Sequence, residues 1–139
     1  MKFTRNASAH WTGSGKEGKG TVTTGSGLLN GAQYGFKSRF ESGPGTNPEE
    51  LIGAAHAGCF SMKLAFNLQE AGITADAIDT KANVVFENGA ITEVQLETAV
   101  KAQGLDADKL AQLVDDAKQN CPISKLLKAN ISVKHQLVQ

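Results

Sequence analysis

Arginine and cysteine are scarce in this chain, each occurring twice in 139 positions, as Arg5 and Arg39 and as Cys59 and Cys121. Two thiols 62 residues apart exclude a disulfide-framed secreted scaffold, a Cys-x-x-Cys redox motif and a four-cysteine zinc site. Net charge is absent too: 14 Lys and Arg balance 14 Asp and Glu. That argues against a broad basic face for nucleic acid and against an acidic tail. No stretch approaches the roughly 20 uninterrupted apolar residues of a membrane helix. The most apolar one, Leu51 to Leu68, is interrupted by His56, Ser61, Lys63 and Asn67. The opening MKFTRNASAHW alternates polar and apolar residues and lacks the apolar run of a signal peptide. A cytoplasmic chain is expected, with no nucleic-acid or membrane partner; in that compartment paired cysteines are more often catalytic or transient than structural.

What is present describes one folded domain, residues 1–139. Hydrophobic content of 40% against 20% charged is that of a globular chain. At this length folding buries roughly 70% of the surface of the unfolded chain, so no metal or disulfide is needed to hold it.

Period-two alternation predicts a strand through Phe3, Arg5, Ala7, Ala9 and Trp11, then a turn at Gly13 to Gly20 and a strand at Thr21 to Thr24. Tyr34, Phe36 and Phe40 read as one face of a third strand, with Lys37, Arg39 and Glu41 opposite. Asn47, Pro48 and Glu50 then signal a helix start as N-cap, first position and capping-box acid. The helix that follows runs to about Ala71, stops at Gly72 and is apolar nearly all round. It is expected to be covered on most sides, in part by a second subunit.

Ile78 to Phe86 and Thr92 to Val100 predict a hairpin around Asn88-Gly89. Setting Val84 against Val94 and Ala82 against Leu96 needs one extra residue, hence a bulge or a three-residue turn. Asp106 caps a helix with Leu105 and Leu110 as a staple. A short helix, Ile123 to Lys128, and a strand through Ile131, Val133 and Leu137 close the chain. Strand runs with inserted helices make the class α+β.

Cys59 lies mid-helix among Ala55, Phe60 and Met62, where burial raises a thiol pKa unless a cation is brought to it. Cys121 precedes Pro122 at the start of a short helix, where backbone N–H groups favour an anion, so electrostatics alone nominates Cys121 as the readier thiolate. Arg39, just ahead of the loop feeding the Cys59 helix, is the better of the two arginines to hold a thiolate, a peroxide oxygen and a carboxylate together. A solvent-facing charge paired with Glu41 competes with that reading. Glu49 stands at the second helical position, favoured there by the helix dipole. About 15 Å of helical rise separates it from Cys59, so the two meet only through a long bridging side chain or a second subunit. His56, one turn before Cys59, is either a core histidine or an activator of the thiol. A zinc site from Cys59, His56 and Cys121 lacks a fourth ligand by spacing.

GKGTV at Gly18–Val22, YGFKSRF at Tyr34–Phe40, GTNPEELIGAAHAGCFSMKL at Gly45–Leu64 and CPISKLLKANI at Cys121–Ile131 resemble, in order, the OsmC/Ohr family of organic hydroperoxide peroxidases. The resemblance implies antiparallel sheets around long central helices in an intertwined homodimer, with sites at the subunit interface. It implies reduction of organic hydroperoxides, and less well of hydrogen peroxide, with a lipoylated protein or dihydrolipoamide as reductant and no cofactor or metal. By the same resemblance Cys59 is the peroxidatic cysteine, Cys121 the resolving one, Glu49 the carboxylate and Arg39 the OsmC-type arginine; Lys16 and Lys19 occupy the first loop, where Ohr proteins carry their arginine. Phe36, Phe40, Phe60 and Met62 are candidate walls for an alkyl chain. A non-catalytic dimer binding apolar ligands and a redox sensor using the same thiols are the competing readings.

Overall fold

A computed structural model describes residues 1–139 and divides them into two compact units, Met1–Leu51 and Ile52–Gln139. The first is a three-stranded antiparallel sheet, β1 (Ala7–Thr12), β2 (Lys19–Thr24) and β3 (Ala32–Tyr34), in that order. Gly20 pairs with Trp11 on one side and Tyr34 on the other, and a Cβ at this position would strike both rings. Its absence lets the two rings approach to 5.4 Å between centroids. The first strand is shorter than expected: Phe3 is exposed and pairing begins only at Ala7.

The strand expected through Tyr34, Phe36 and Phe40 ends at Tyr34, and Phe36–Phe40 form a five-residue helix, α1. Phe36 and Phe40 are four apart, a spacing that satisfies both a strand face and a helix face. Two local interactions select the helix. Ser38 Oγ accepts from Gly35 N–H at 3.0 Å and donates to Gly35 C=O at 3.1 Å, and the two phenyl rings meet at 5.1 Å.

Helix α2 (Pro48–Glu70) starts as the sequence indicates, with Asn47 Oδ1 accepting from Glu50 N–H at 2.8 Å. The reciprocal half of the capping box does not form. Glu50 Oε2 instead accepts from the Thr46 hydroxyl at 2.7 Å. At the other end Gly72 has φ 78°, Gly72 N–H reaches Gln69 C=O at 3.0 Å and Ile73 N–H reaches Leu68 C=O at 2.9 Å, a Schellman stop.

In the second unit, β4 (Ala75–Glu87), β5 (Ala90–Ala102) and β6 (Asn130–Val138) form a sheet in that order. The β4–β5 hairpin turns at Asn88 (φ 51°) and Gly89 (φ 82°), with Val84 opposite Val94 and Ala82 opposite Leu96. The extra residue is Thr92, bulged between the Val85–Glu93 and Phe86–Ile91 pairs and exposed. β6 pairs parallel to β5, so this sheet is mixed and not wholly antiparallel. The crossover that parallel pairing requires is α3 (Ala107–Asn120) followed by α4 (Pro122–Leu126). Asp106 caps α3 by accepting from Lys109 N–H at 2.8 Å, and Leu105 and Leu110 are both buried.

The core joins Phe60, Leu64 and Leu68 of α2 with Val94, Leu96 and Val100 of β5, Leu110, Val114 and Ala117 of α3, and Cys121. Each fully buried Phe or Leu contributes about 1.5–3 kcal/mol. Gly53 lets α2 lie close to the sheet: a Cβ there would sit 3.3 Å from Val84 Cγ2. Asn67 fixes α2 to α3, donating to Leu113 C=O at 3.1 Å and Asp116 Oδ2 at 2.8 Å. Cover is less complete than the sequence indicates, because within this chain only one stripe of α2 is buried. Met62 is 64% and Phe66 54% exposed, and Ala54, Ala55 and Ala65 are exposed with them.

Candidate active site

The second unit brings both thiols together. Cys59, half-buried on α2, and Cys121, fully buried at the N-cap of α4, are free cysteines whose sulfurs lie 2.9 Å apart, in thiol–thiol hydrogen-bonding contact. Core packing places them: α3 ends at Asn120, and Pro122, at the first position of α4, has no N–H to continue the preceding helix.

Burial pushes the Cys59 thiol above its ordinary range. The hydrogen bond with Cys121 and the repulsion of a Cys121 thiolate act in the same direction, because two sulfurs in contact compete for one negative charge. The backbone N–H of Ile123 opposes them by hydrogen bonding to the Cys59 sulfur. The electrostatic case for Cys121 is therefore altered: an amide at the start of α4 serves Cys59. None of the groups that shift Cys59 is a cation.

His56 makes no hydrogen bond to Cys59, so a Cys–His couple is not formed. Its ring is fully buried and Nε2 lies 2.7 Å from Ser124 Oγ. Nδ1 has no partner, and we assign the tautomer with Nε2–H donating, since it leaves a lone pair and not an N–H unmet. Burial lowers the histidine pKa, keeping the ring neutral. An orphaned buried polar atom costs about 1–3 kcal/mol. Ser124 is the residue that reading the sequence missed. The available signal was spacing: His56 precedes Cys59 by three residues and Ser124 follows Cys121 by three.

The first unit holds the other two candidates. Arg39 on α1 donates through Nε to Glu49 Oε1 at 2.8 Å, with side chains 39% and 14% exposed. Arg39 is thus paired with Glu49. Three features set this pair: the α1 turn, Glu49 at the second position of α2, and Asn47 Nδ2 donating to Ser38 C=O at 3.0 Å. Glu49 Oε2 is buried without a hydrogen bond. Lys16 and Lys19 line a cavity of about 530 Å³ with Lys37, Tyr34 and Phe36. Of the proposed apolar wall, Phe60 is a core residue of the second unit with no exposed surface, Met62 is exposed, and Phe36 and Phe40 belong to the first unit. His10 and His135 are exposed strand residues.

An α+β chain that sets two free thiols in hydrogen-bonding contact, one on a long helix and one on a helical turn, is by its site a dithiol protein. The profile of the OsmC-like protein family matches residues 41–136. Peroxiredoxin OsmC of Escherichia coli (strain K12) is 49% identical over 99% of both chains. Organic hydroperoxide resistance protein OhrB of Bacillus subtilis is 30% identical over 85% of this chain and 88% of its own. The crystal structure of that OhrB superposes with a TM-score of 0.67 at 27% identity, covering 98% of each chain. An OsmC-like protein from Mycoplasma pneumoniae shares the fold with a TM-score of 0.76 at 13% identity over the whole of both chains. The chain belongs to the OsmC-like family.

Proposed function

We propose that this protein is a thiol peroxidase that reduces organic hydroperoxides to alcohols, and hydrogen peroxide more weakly, in oxidative and osmotic stress defence. The observation that carries the proposal is the 2.9 Å contact between Cys121 and Cys59. The names of the E. coli and B. subtilis relatives support the substrate class. Cys59 thiolate attacks the terminal peroxide oxygen; an S–O bond forms, the O–O bond breaks, and the alkoxide takes a proton and leaves as alcohol. Sulfur loses two electrons and the peroxide gains them. Cys121 then attacks the sulfenic sulfur, expelling hydroxide that leaves as water, and the disulfide is reopened by exchange with an external dithiol. Of the two thiols Cys59 is the one that reaches solvent, which favours it as the first to meet peroxide.

A thiol held high by burial needs a cation to react at neutral pH. Arg39 is the residue we propose for that task, braced by Glu49 and stabilising charge on the departing oxygen. The two units act as one domain in this reading, and the working protein is a homodimer whose partner covers the exposed Met62–Phe66 face of α2. A lipoylated protein or dihydrolipoamide is the proposed reductant and the cytoplasm the proposed location; no helix is long and apolar enough to cross a membrane.

Steady-state turnover of cumene hydroperoxide with dihydrolipoamide tests the reading. Many turnovers per chain are expected. Oxidation that stops after one equivalent would favour a redox sensor, and absence of oxidation a non-catalytic binder.

A further inference from the structure

We propose that the His56–Ser124 hydrogen bond is a positioning clamp for the dithiol, setting how readily Cys59 and Cys121 join. The inference deepens the two-cysteine part of the proposed function and rests on those thiols reacting with each other, whatever oxidant reaches them.

Two rungs connect α2 to the short turn of α4. Cys59 meets Cys121 at 2.9 Å and His56 meets Ser124 at 2.7 Å. On α2 the histidine comes three residues before its cysteine; on α4 the serine comes three residues after. The rungs therefore lie one helical turn apart on each element, with the two elements running antiparallel. A five-residue helix has no stability of its own and stays where its contacts hold it. Those contacts are few. Ser124 is the buried residue within α4 and Cys121 the buried one at its cap, while Ile123 and Leu127 pack on the core only in part and Leu126 is exposed.

The inner rung is thus the fixed point of α4 besides the sulfur itself. It is kept although Nδ1 of His56 remains unmet, a cost that an apolar pair of similar volume would avoid. Neither residue hydrogen-bonds a sulfur, so both act through the placement of α4. That placement also aims the Ile123 amide at Cys59. Closing the disulfide shortens the sulfur separation by about 0.9 Å, to the roughly 2.05 Å of an S–S bond. A helix free to slide loses that near-contact geometry and with it the effective concentration of one thiol at the other.

The test is equilibration of the full chain in glutathione buffers. Oxidised glutathione takes two electrons and two protons from Cys59 and Cys121, giving the disulfide and two reduced glutathiones; mass after alkylation reads the disulfide fraction. Ser124→Ala is expected to lower the equilibrium constant roughly tenfold, about 30 mV for this two-electron couple. Ser124→Thr, which keeps the hydroxyl, is expected to stay within about twofold of the parent. His56→Leu against His56→Gln repeats the comparison from α2 should Ser124→Ala not fold. A Ser124→Ala constant within twofold of the parent overturns the clamp, and so does an equal fall in Ser124→Thr. The same proteins treated with cumene hydroperoxide separate the two ideas: a parent oxidised by glutathione but not by peroxide sinks the peroxidase reading and leaves the clamp standing.

Discussion

Arg39 Nε donates to Glu49 Oε1 at 2.8 Å, joining a five-residue helix to the first turn of the longest one. The pair is partly exposed, so its share of stability is small after solvent screening, about 1 kcal/mol or less. In the proposed reaction its value lies in orienting a forked cation. Arg39→Ala is expected to slow peroxide reduction at pH 7 by about a hundredfold, the scale of losing one charge-stabilising donor. Arg39→Lys restores only part, because an ammonium cannot bridge two partners in one plane.

The same substitution is expected to change the pH profile. Only the thiolate reacts, and the surroundings of Cys59 hold its thiol up. Without the arginine, the rate of Cys59 oxidation should keep climbing with pH beyond the ordinary thiol range of about 8.5, whereas the parent levels off at lower pH. Stopped-flow oxidation from pH 5 to 10 compares the two. Coincident profiles would remove Arg39 from the reaction.

His56 gives an acid-side prediction of stability. Its folded pKa lies below the ordinary 6.5, so the unfolded chain takes up the proton first as pH falls. The stability linked to this group is complete above pH 6.5 and is lost as pH drops toward and through the depressed folded value. Urea unfolding from pH 8 to 4 should show that loss in the parent and a flatter acid limb in His56→Gln. Equal slopes would place the acid sensitivity elsewhere.

The uncovered face of α2 gives a prediction about assembly. Met62 and Phe66, one helical turn apart and 64% and 54% exposed, make an apolar patch that water covers in the single chain. Met62→Glu and Phe66→Glu should each shift sedimentation from dimer toward monomer while far-ultraviolet dichroism is unchanged. A parent that sediments as a monomer would refute the dimer.

Local rules made much of the fold legible. Val84, Val94, Ala82 and Leu96 pair as alternation and turn chemistry require, down to the bulge, and Asn47, Gly72 and Asp106 end helices as caps should. Phe36 and Phe40 misled because a four-residue spacing satisfies both periods, and the Gly35–Ser38 hydrogen bonds that decide between them carry no periodic signal. The parallel pairing of β6 was hidden for a different reason: a strand's own pattern does not reveal the direction of its neighbour. At the site, residue types singled out Cys59 and Cys121, and the family resemblance proposed roles for Arg39 and Glu49. The 2.9 Å sulfur contact and the His56–Ser124 rung depend on packing between residues 62 and 68 apart, which spacing along the chain does not encode.

The order of events at the two sulfurs is the central claim, and one trapping measurement tests it most directly. Cys121→Ser, treated with one equivalent of cumene hydroperoxide and then dimedone, should carry the dimedone adduct on Cys59 in most molecules, with one equivalent of alcohol released. Cys59→Ser should reduce no peroxide under the same conditions. An adduct on Cys121 in Cys59→Ser, with single-turnover peroxide reduction retained, would reverse the roles and contradict the account.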